Sequence, residues 1–166
     1  MKKTGIFYGS ATGTTADVAQ RIAAKLGIAD ADIHDVAGTA PDTLGAYENL
    51  ILGSSTWGSG ELEDDWYDFA DGASSLDLSG KKIALFGCGD ETMSDTFCDA
   101  VGELFARFKK SGAVFIGEFP ADAYKFTESK ATNGNTMRGL LIDEVNHPEM
   151  TDDRILMWTE QLKKEM

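Results

Sequence analysis

At 166 residues the chain is long enough for one well-packed domain spanning 1–166, and short for two. A formal charge of −13 argues against nucleic acid, whose phosphates call for Lys and Arg, and against anionic membrane surfaces. No apolar run approaches the ~20 residues of a membrane helix, and Met1-Lys2-Lys3 leads into too short a run for a signal peptide, so the expected location is the cytoplasm.

Short apolar runs alternate with amphipathic segments along the chain, the pattern of an α/β domain with a parallel sheet. A first strand is expected at 3–8 and a helix at 13–26, where Val18, Ala19, Ile22 and Leu26 recur at helical spacing. Between them lies Ser10-Ala11-Thr12-Gly13-Thr14-Thr15, a loop with four hydroxyls and no Lys or Arg. A strand, a tight loop and a helix N-terminus make an anion site, because free N–H groups and the helix dipole point into the loop. A nucleotide-hydrolysing loop would need G-x-x-x-x-G-K-[ST]; here Thr14 follows Gly13 where the Lys would stand. The dinucleotide pattern G-x-G-x-x-G is absent from this turn as well.

Further strands are expected at 32–35, 49–53, 82–87 and 114–119, and further helices at 62–71, 96–111 and 152–164. In the helix at 96–111, Phe97, Val101, Leu104, Phe105 and Phe108 form one apolar stripe and read as core. Thr151 is the expected N-cap of the last helix, with Asp152 and Asp153 at its positive end and Lys163 and Lys164 at the other. The thirty residues between the fifth strand and that helix exceed ordinary connections. Within them Gly139-Leu140-Leu141-Ile142 reads as a resumed strand, leaving a long polar loop at 120–138.

Ligands of open α/β sheets bind beyond the C-terminal ends of the strands, where strand order reverses. Three loops would converge there: Ser10 to Thr15; Ser54-Ser55-Thr56-Trp57-Gly58-Ser59-Gly60; and Gly87-Cys88-Gly89-Asp90-Glu91-Thr92-Met93. One donates to an anion, one offers an indole beside glycines, and one offers glycines, an acid and a thioether. Together they describe a pocket for a flat ring carrying a phosphate. Cys88 and Cys98 are not in CxxC spacing, and no metal site is expected. Trp66, Phe69 and Trp158 are assigned to packing, and His34 and His147 to the ordinary surface.

The motifs S-A-T-G-T-T, S-T-W-G-S-G-E-L followed by D-D-W, and G-C-G-D with F-C-D-A, in this order, resemble the flavodoxin family over essentially the whole chain. The interrupted fifth strand resembles its long-chain branch. The resemblance implies a doubly wound five-stranded parallel sheet of order 2-1-3-4-5, the fifth strand interrupted by a long loop. It implies non-covalent FMN and a monomeric low-potential one-electron carrier working through the semiquinone/hydroquinone couple between redox proteins, a reductase and acceptor enzymes with basic docking faces.

Carried onto this chain, Ser10, Thr12, Thr14 and Thr15 with the amides of Ala11 and Gly13 would bind the phosphate. Ser55, Thr56, Trp57, Gly58, Ser59 and Gly60 would form one wall, with Trp57 on the flavin ring. Cys88, Gly89, Asp90 and Met93 would form the other, flanked by Thr96, Cys98 and Asp99. Met93 stands where the family usually has an aromatic ring. Gly58-Ser59 suits a type II′ turn whose peptide could flip toward the flavin. An FMN-dependent quinone or flavin reductase of the same fold is the alternative, and would need a second-substrate pocket and cationic recognition that these loops do not show. A signalling domain of this fold would want an acidic pair where Tyr8-Gly9-Ser10 stand.

Overall fold

The computed structural model describes residues 3–10, 12–57, 60–92 and 96–166, with Trp57 by its backbone alone. Strands β1 (Thr4–Gly9), β2 (Ile33–Asp35), β3 (Asn49–Trp57) and β5 (Lys82–Cys88) pair in parallel in the order β2-β1-β3-β5. A two-residue strand β4 (Glu61–Leu62) folds back antiparallel on the end of β3. The central strands are buried on both faces, which is why they read as unbroken apolar runs rather than alternating ones. Helix α1 (Thr14–Leu26) packs with α4 (Thr151–Glu165). Helix α2 (Asp65–Ala73) meets α3 (Asp99–Phe108) through Trp66 and Phe108, whose rings lie edge to face at 6.3 Å.

The outer neighbour of β5 is a strand in two pieces. β6 (Val114–Ile116) pairs with Lys82 to Ala84, and β10 (Gly139–Ile142) takes over from Leu85 to Cys88 without a gap in register. Together they are the interrupted fifth strand of the 2-1-3-4-5 order. The fifth strand stops at Ile116 rather than at residue 119. Phe119–Pro120 instead forms β7, which joins β8 (Thr132–Asn133) and β9 (Thr136–Met137) in a second, antiparallel sheet. The segment expected as a polar loop is therefore folded over its own core of Phe119, Tyr124, Ala131 and Met137.

Tyr124 shows how the insertion is attached. Its hydroxyl donates to the Leu141 carbonyl at 2.7 Å and accepts from the Leu141 amide at 3.1 Å. It thus stands in for a strand partner along β10 and covers backbone groups that an open edge would leave unpaired. Arg154 of α4 lies over the Tyr124 ring at 4.5 Å and donates to the Ala123 carbonyl at 2.8 Å, tying the insertion to the last helix.

Helix limits shift by a few residues from the sequence expectation. Leu62 belongs to β4 and α2 begins at Asp65, while α3 begins at Asp99 rather than 96. Thr151 is not the cap of α4 but a buried first-turn residue at φ −61°, preceded by a turn at Pro148–Met150. The turn already aims the chain into the helix, so no side-chain cap forms. Asp152, Asp153, Lys163 and Lys164 sit at the helix ends where their charges suit the dipole. Trp66 and Trp158 are fully buried, their indole N–H groups donating to the carbonyls of Gly53 at 2.8 Å and Gly117 at 2.7 Å. Both histidines are half-buried and have partners. His34 stacks on Phe7 at 4.8 Å with Nε2 2.7 Å from the Tyr47 hydroxyl, and His147 pairs with Glu91.

Candidate functional site

Parallel register fixes where the three loops begin. Gly9 of β1 lies opposite Ser54 of β3, Ser54 opposite Gly87 of β5, and Ser55 opposite Cys88. The loops that follow therefore leave one sheet edge side by side.

In the first loop the Gly13 amide donates to Ser10 Oγ at 3.0 Å, closing the turn on itself. Gly13 caps α1 at φ 92°, and no side chain caps the helix. The first amides of the helix keep no intrahelical partner and face the loop. Thr15 Oγ1 is fully buried and has no hydrogen-bond partner of nitrogen or oxygen. Its neighbour is the Cys88 thiol, a weak partner at best. Burial pushes that thiol up to about 12, so it stays neutral at physiological pH. The nearest cation along α1, Arg21, is engaged by Asp17 at 3.0 Å, Glu144 at 2.9 Å and Asp152 at 3.7 Å. Ala11 lies outside the described residues.

The second loop is a hairpin. Trp57 pairs with Glu61, and Gly60 between them takes φ +96°. A Cβ on Gly60 would lie 2.5 Å from Asp99 Oδ2, so both conformation and close approach require glycine there. Thr56, expected in the wall of the site, accepts from the Ala100 amide at 3.2 Å through Oγ1 and so supports the start of α3. Ser55 is half-buried beside it. The Trp57 side chain and the Gly58-Ser59 turn lie outside the described residues.

The third loop is held from a distance. The Gly89 amide donates to the Ile142 carbonyl at 2.9 Å, and a Cβ on Gly89 would meet Cys98 Sγ at 2.8 Å. Asp90 Oδ1 accepts from the Thr92 amide at 2.8 Å, the Thr92 hydroxyl at 2.5 Å and Asn146 Nδ2 at 2.6 Å. The Thr92 hydroxyl, with the Thr92 amide and Asn146, holds this carboxyl below the usual range. Asp90 is thus a brace of the loop. Met93 lies outside the described residues. Thr96 accepts from the Asp99 amide at 3.1 Å through its carbonyl, and Cys98 is fully buried at φ 49°, an uncommon conformation for a residue with a Cβ. Asp99 is buried and accepts from the Lys130 amide at 2.7 Å, joining the insertion to the site.

Sequence reasoning missed the residues that hold this third loop. Asp143, fully buried, accepts through Oδ2 from the Glu91 amide at 2.9 Å and Asn146 Nδ2 at 2.9 Å, and through Oδ1 from the amides of Val145 at 3.0 Å and Asn146 at 2.8 Å. The signal was available, since Asp143 directly follows the resumed strand and so stands at the same sheet edge. Glu63 stands in a stretch rich in acids, Glu61 to Asp71. It is buried, with Oε2 accepting from the Asp65 amide at 3.1 Å, and burial foremost pushes its carboxyl up. A cavity of about 420 Å³ beside Asp99 is lined by 126–130 and Thr132, alongside rather than within the cleft of the three loops.

An uncapped helix start, neutral donors and an orphaned buried hydroxyl fit a phosphate monoester held without a counter-cation. The family model described as flavodoxin matches residues 6–158. Flavodoxin of Synechococcus elongatus is 42% identical, covering 99% of this chain and 98% of its own length. Flavodoxin 1 of Escherichia coli K12 is 41% identical, covering 100% and 96%. The crystal structure of Fusobacterium nucleatum flavodoxin bound to flavin mononucleotide superposes with a TM-score of 0.91 at 30% identity, over 100% of this chain and 99% of that one. With its sheet order, its split fifth strand and its loops at one edge, this chain belongs to the flavodoxin family.

Proposed function

We propose that this chain is a one-electron carrier holding FMN non-covalently in the cleft of the three loops, with no substrate turnover of its own. The observation that carries this is the Thr15 hydroxyl, buried without a partner at the uncapped start of α1, in a fold that holds FMN in the Fusobacterium relative. When bound, FMN supplies the one-electron chemistry. The chain's residues bind and orient it. Ser10, Thr12, Thr14 and Thr15 with the amides of Ala11 and Gly13 take the phosphate. Ser55, Thr56, Trp57, Gly58, Ser59 and Gly60 form one wall, Cys88, Gly89, Asp90 and Met93 the other, and Thr96, Cys98 and Asp99 back the second of them.

The carrier works at low potential. The phosphate's charge meets no cation in the first loop, and acids rim the second. A carboxylate ~10 Å from an added electron costs ~0.4 kcal/mol in a water-like dielectric, and more where partly buried. The whole chain, 1–166, acts as one cytoplasmic, monomeric unit and docks to redox proteins through basic faces on them. The charge of −13 favours their approach, and salt weakens it. No helix among the described residues is long and apolar enough to cross a membrane.

The test is the visible spectrum of the purified protein together with fluorescence titration of the flavin-free form. Flavin bands and quenching at one FMN per chain are expected. A colourless preparation that leaves FMN fluorescence unchanged would overturn the reading. Turnover of NAD(P)H by the protein alone would instead assign it to the flavin-dependent reductases.

A further inference from the structure

The segment that braces the third loop carries an imidazole clamped between carboxylates. His147 Nε2 lies 2.8 Å from Glu91 Oε2, and Nδ1 lies 3.5 Å from Glu149 Oε1. An oxygen of Asp143 joins them, so that ligand atoms of Glu91, Asp143 and His147 all lie within 4.8 Å of one another. A neutral imidazole carries one ring proton and can donate from one nitrogen only. With the ring proton on Nδ1 toward Glu149, the Nε2 lone pair and the Glu91 carboxylate face each other as a pair of ligand atoms. The Glu91 side chain is only 9% exposed, so its charge is poorly screened and rewards a cation.

We propose that His147 Nε2 and the Glu91 carboxylate bind a divalent ion of the zinc class. Glu149 orients the ring by accepting from Nδ1–H, the arrangement that metal-bound histidines ordinarily adopt. Asp143 already accepts from four N–H groups, so it acts through its charge rather than as a direct ligand, and water completes the coordination. Ligands of a tetrahedral zinc at ~2.0–2.1 Å stand ~3.3 Å apart, so the pair needs to open by only about half an ångström. Imidazole selects zinc over magnesium and calcium, which take oxygen ligands. The ion takes the Nε2 lone pair while the ring's single proton stays on Nδ1 toward Glu149, and it links the third loop, through Glu91, to the segment entering α4.

The test is calorimetric titration of zinc chloride into the purified protein in 0.15 M salt with excess magnesium, which occupies unspecific acidic sites. One saturable site per chain is expected, with a zinc-dependent rise in Tm. His147→Ala and Glu91→Gln should weaken it at least ~10-fold, and Glu149→Gln by ~10-fold if that carboxylate orients the ring. Variant folding is checked by Tm without zinc. Absence of saturable binding, or uptake unchanged in both His147→Ala and Glu91→Gln, would overturn the proposal. The readout does not depend on flavin, so a colourless protein would defeat the carrier reading and leave this one standing.

Discussion

The first and third loops leave the same sheet edge and are held in opposite ways. The first is closed locally, by the Gly13 amide on Ser10 Oγ and by the start of α1, and it leaves the Thr15 hydroxyl unsatisfied. The third is braced by residues some fifty positions further along, and its acids are spent within the protein, Asp90 on Thr92 and Asn146, Glu91 on His147. One loop leaves a buried hydroxyl unsatisfied; the other uses its polar groups to hold its own shape. The contrast breaks first at Asp143. Asp143→Ala would take the acceptor from four part-buried N–H groups, of which Asn146 Nδ2 keeps its bond to Asp90. A loss of stability of ~1–3 kcal/mol is expected in urea unfolding of the flavin-free protein. A loss below ~1 kcal/mol would mean that the third loop is held by something other than Asp143.

The first loop predicts the reverse behaviour. Thr15→Val keeps the shape and removes a hydroxyl that has no nitrogen or oxygen partner, so the flavin-free protein should unfold at the same urea concentration or a slightly higher one. FMN should lose a charge-assisted hydrogen bond of ~1.5–3 kcal/mol, an affinity loss of about 10- to 100-fold. Equal FMN affinity in the variant would remove Thr15 from the phosphate site.

That difference in wiring also decided what could be read from the sequence. The first loop was legible because its chemistry is contiguous: a strand, hydroxyls, a glycine and a helix start within a dozen residues. Sheet order, the split fifth strand and the apolar stripe of α3 were legible from periodicity and from resemblance. The third loop was legible only in part, since Asp143 and His147 are brought to Glu91 by the pairing of β10 with β5. The insertion was misread as a polar loop because its core is built from isolated residues, Tyr124 and Met137 among them, that show no period.

The second loop lies between these extremes, and Gly60 measures how tightly it is coupled to Asp99. Gly60→Ala puts a Cβ at φ +96° and 2.5 Å from Asp99 Oδ2. Conformational strain alone is worth ~1–3 kcal/mol. A comparable fall in stability should appear, accompanied by weaker FMN binding as the hairpin moves off α3. A variant as stable as the parent would show that the hairpin relaxes freely and is not fixed by Asp99.

Glu63 gives the smallest effect and the sharpest sign. Its carboxyl is raised by burial, and the neighbouring Asp65 and Asp64 push the same way, against the hydrogen bond from the Asp65 amide. The native protein thus keeps this proton to a higher pH than the unfolded chain, where an ordinary value of 4.5 applies. Between those two points the folded state binds more protons, so stability falls as pH rises through the window, and the cost persists above it. Asp90 runs the other way: its lowered carboxyl contributes stability above the usual carboxylate range, lost as pH falls. Glu63→Gln retains an oxygen to accept from the Asp65 amide and discards the charge. The variant should be more stable than the parent at pH 7, with the advantage shrinking as pH is lowered through the carboxylate range. An advantage of the same size at pH 7 and pH 4 would trace it to packing rather than to a buried charge.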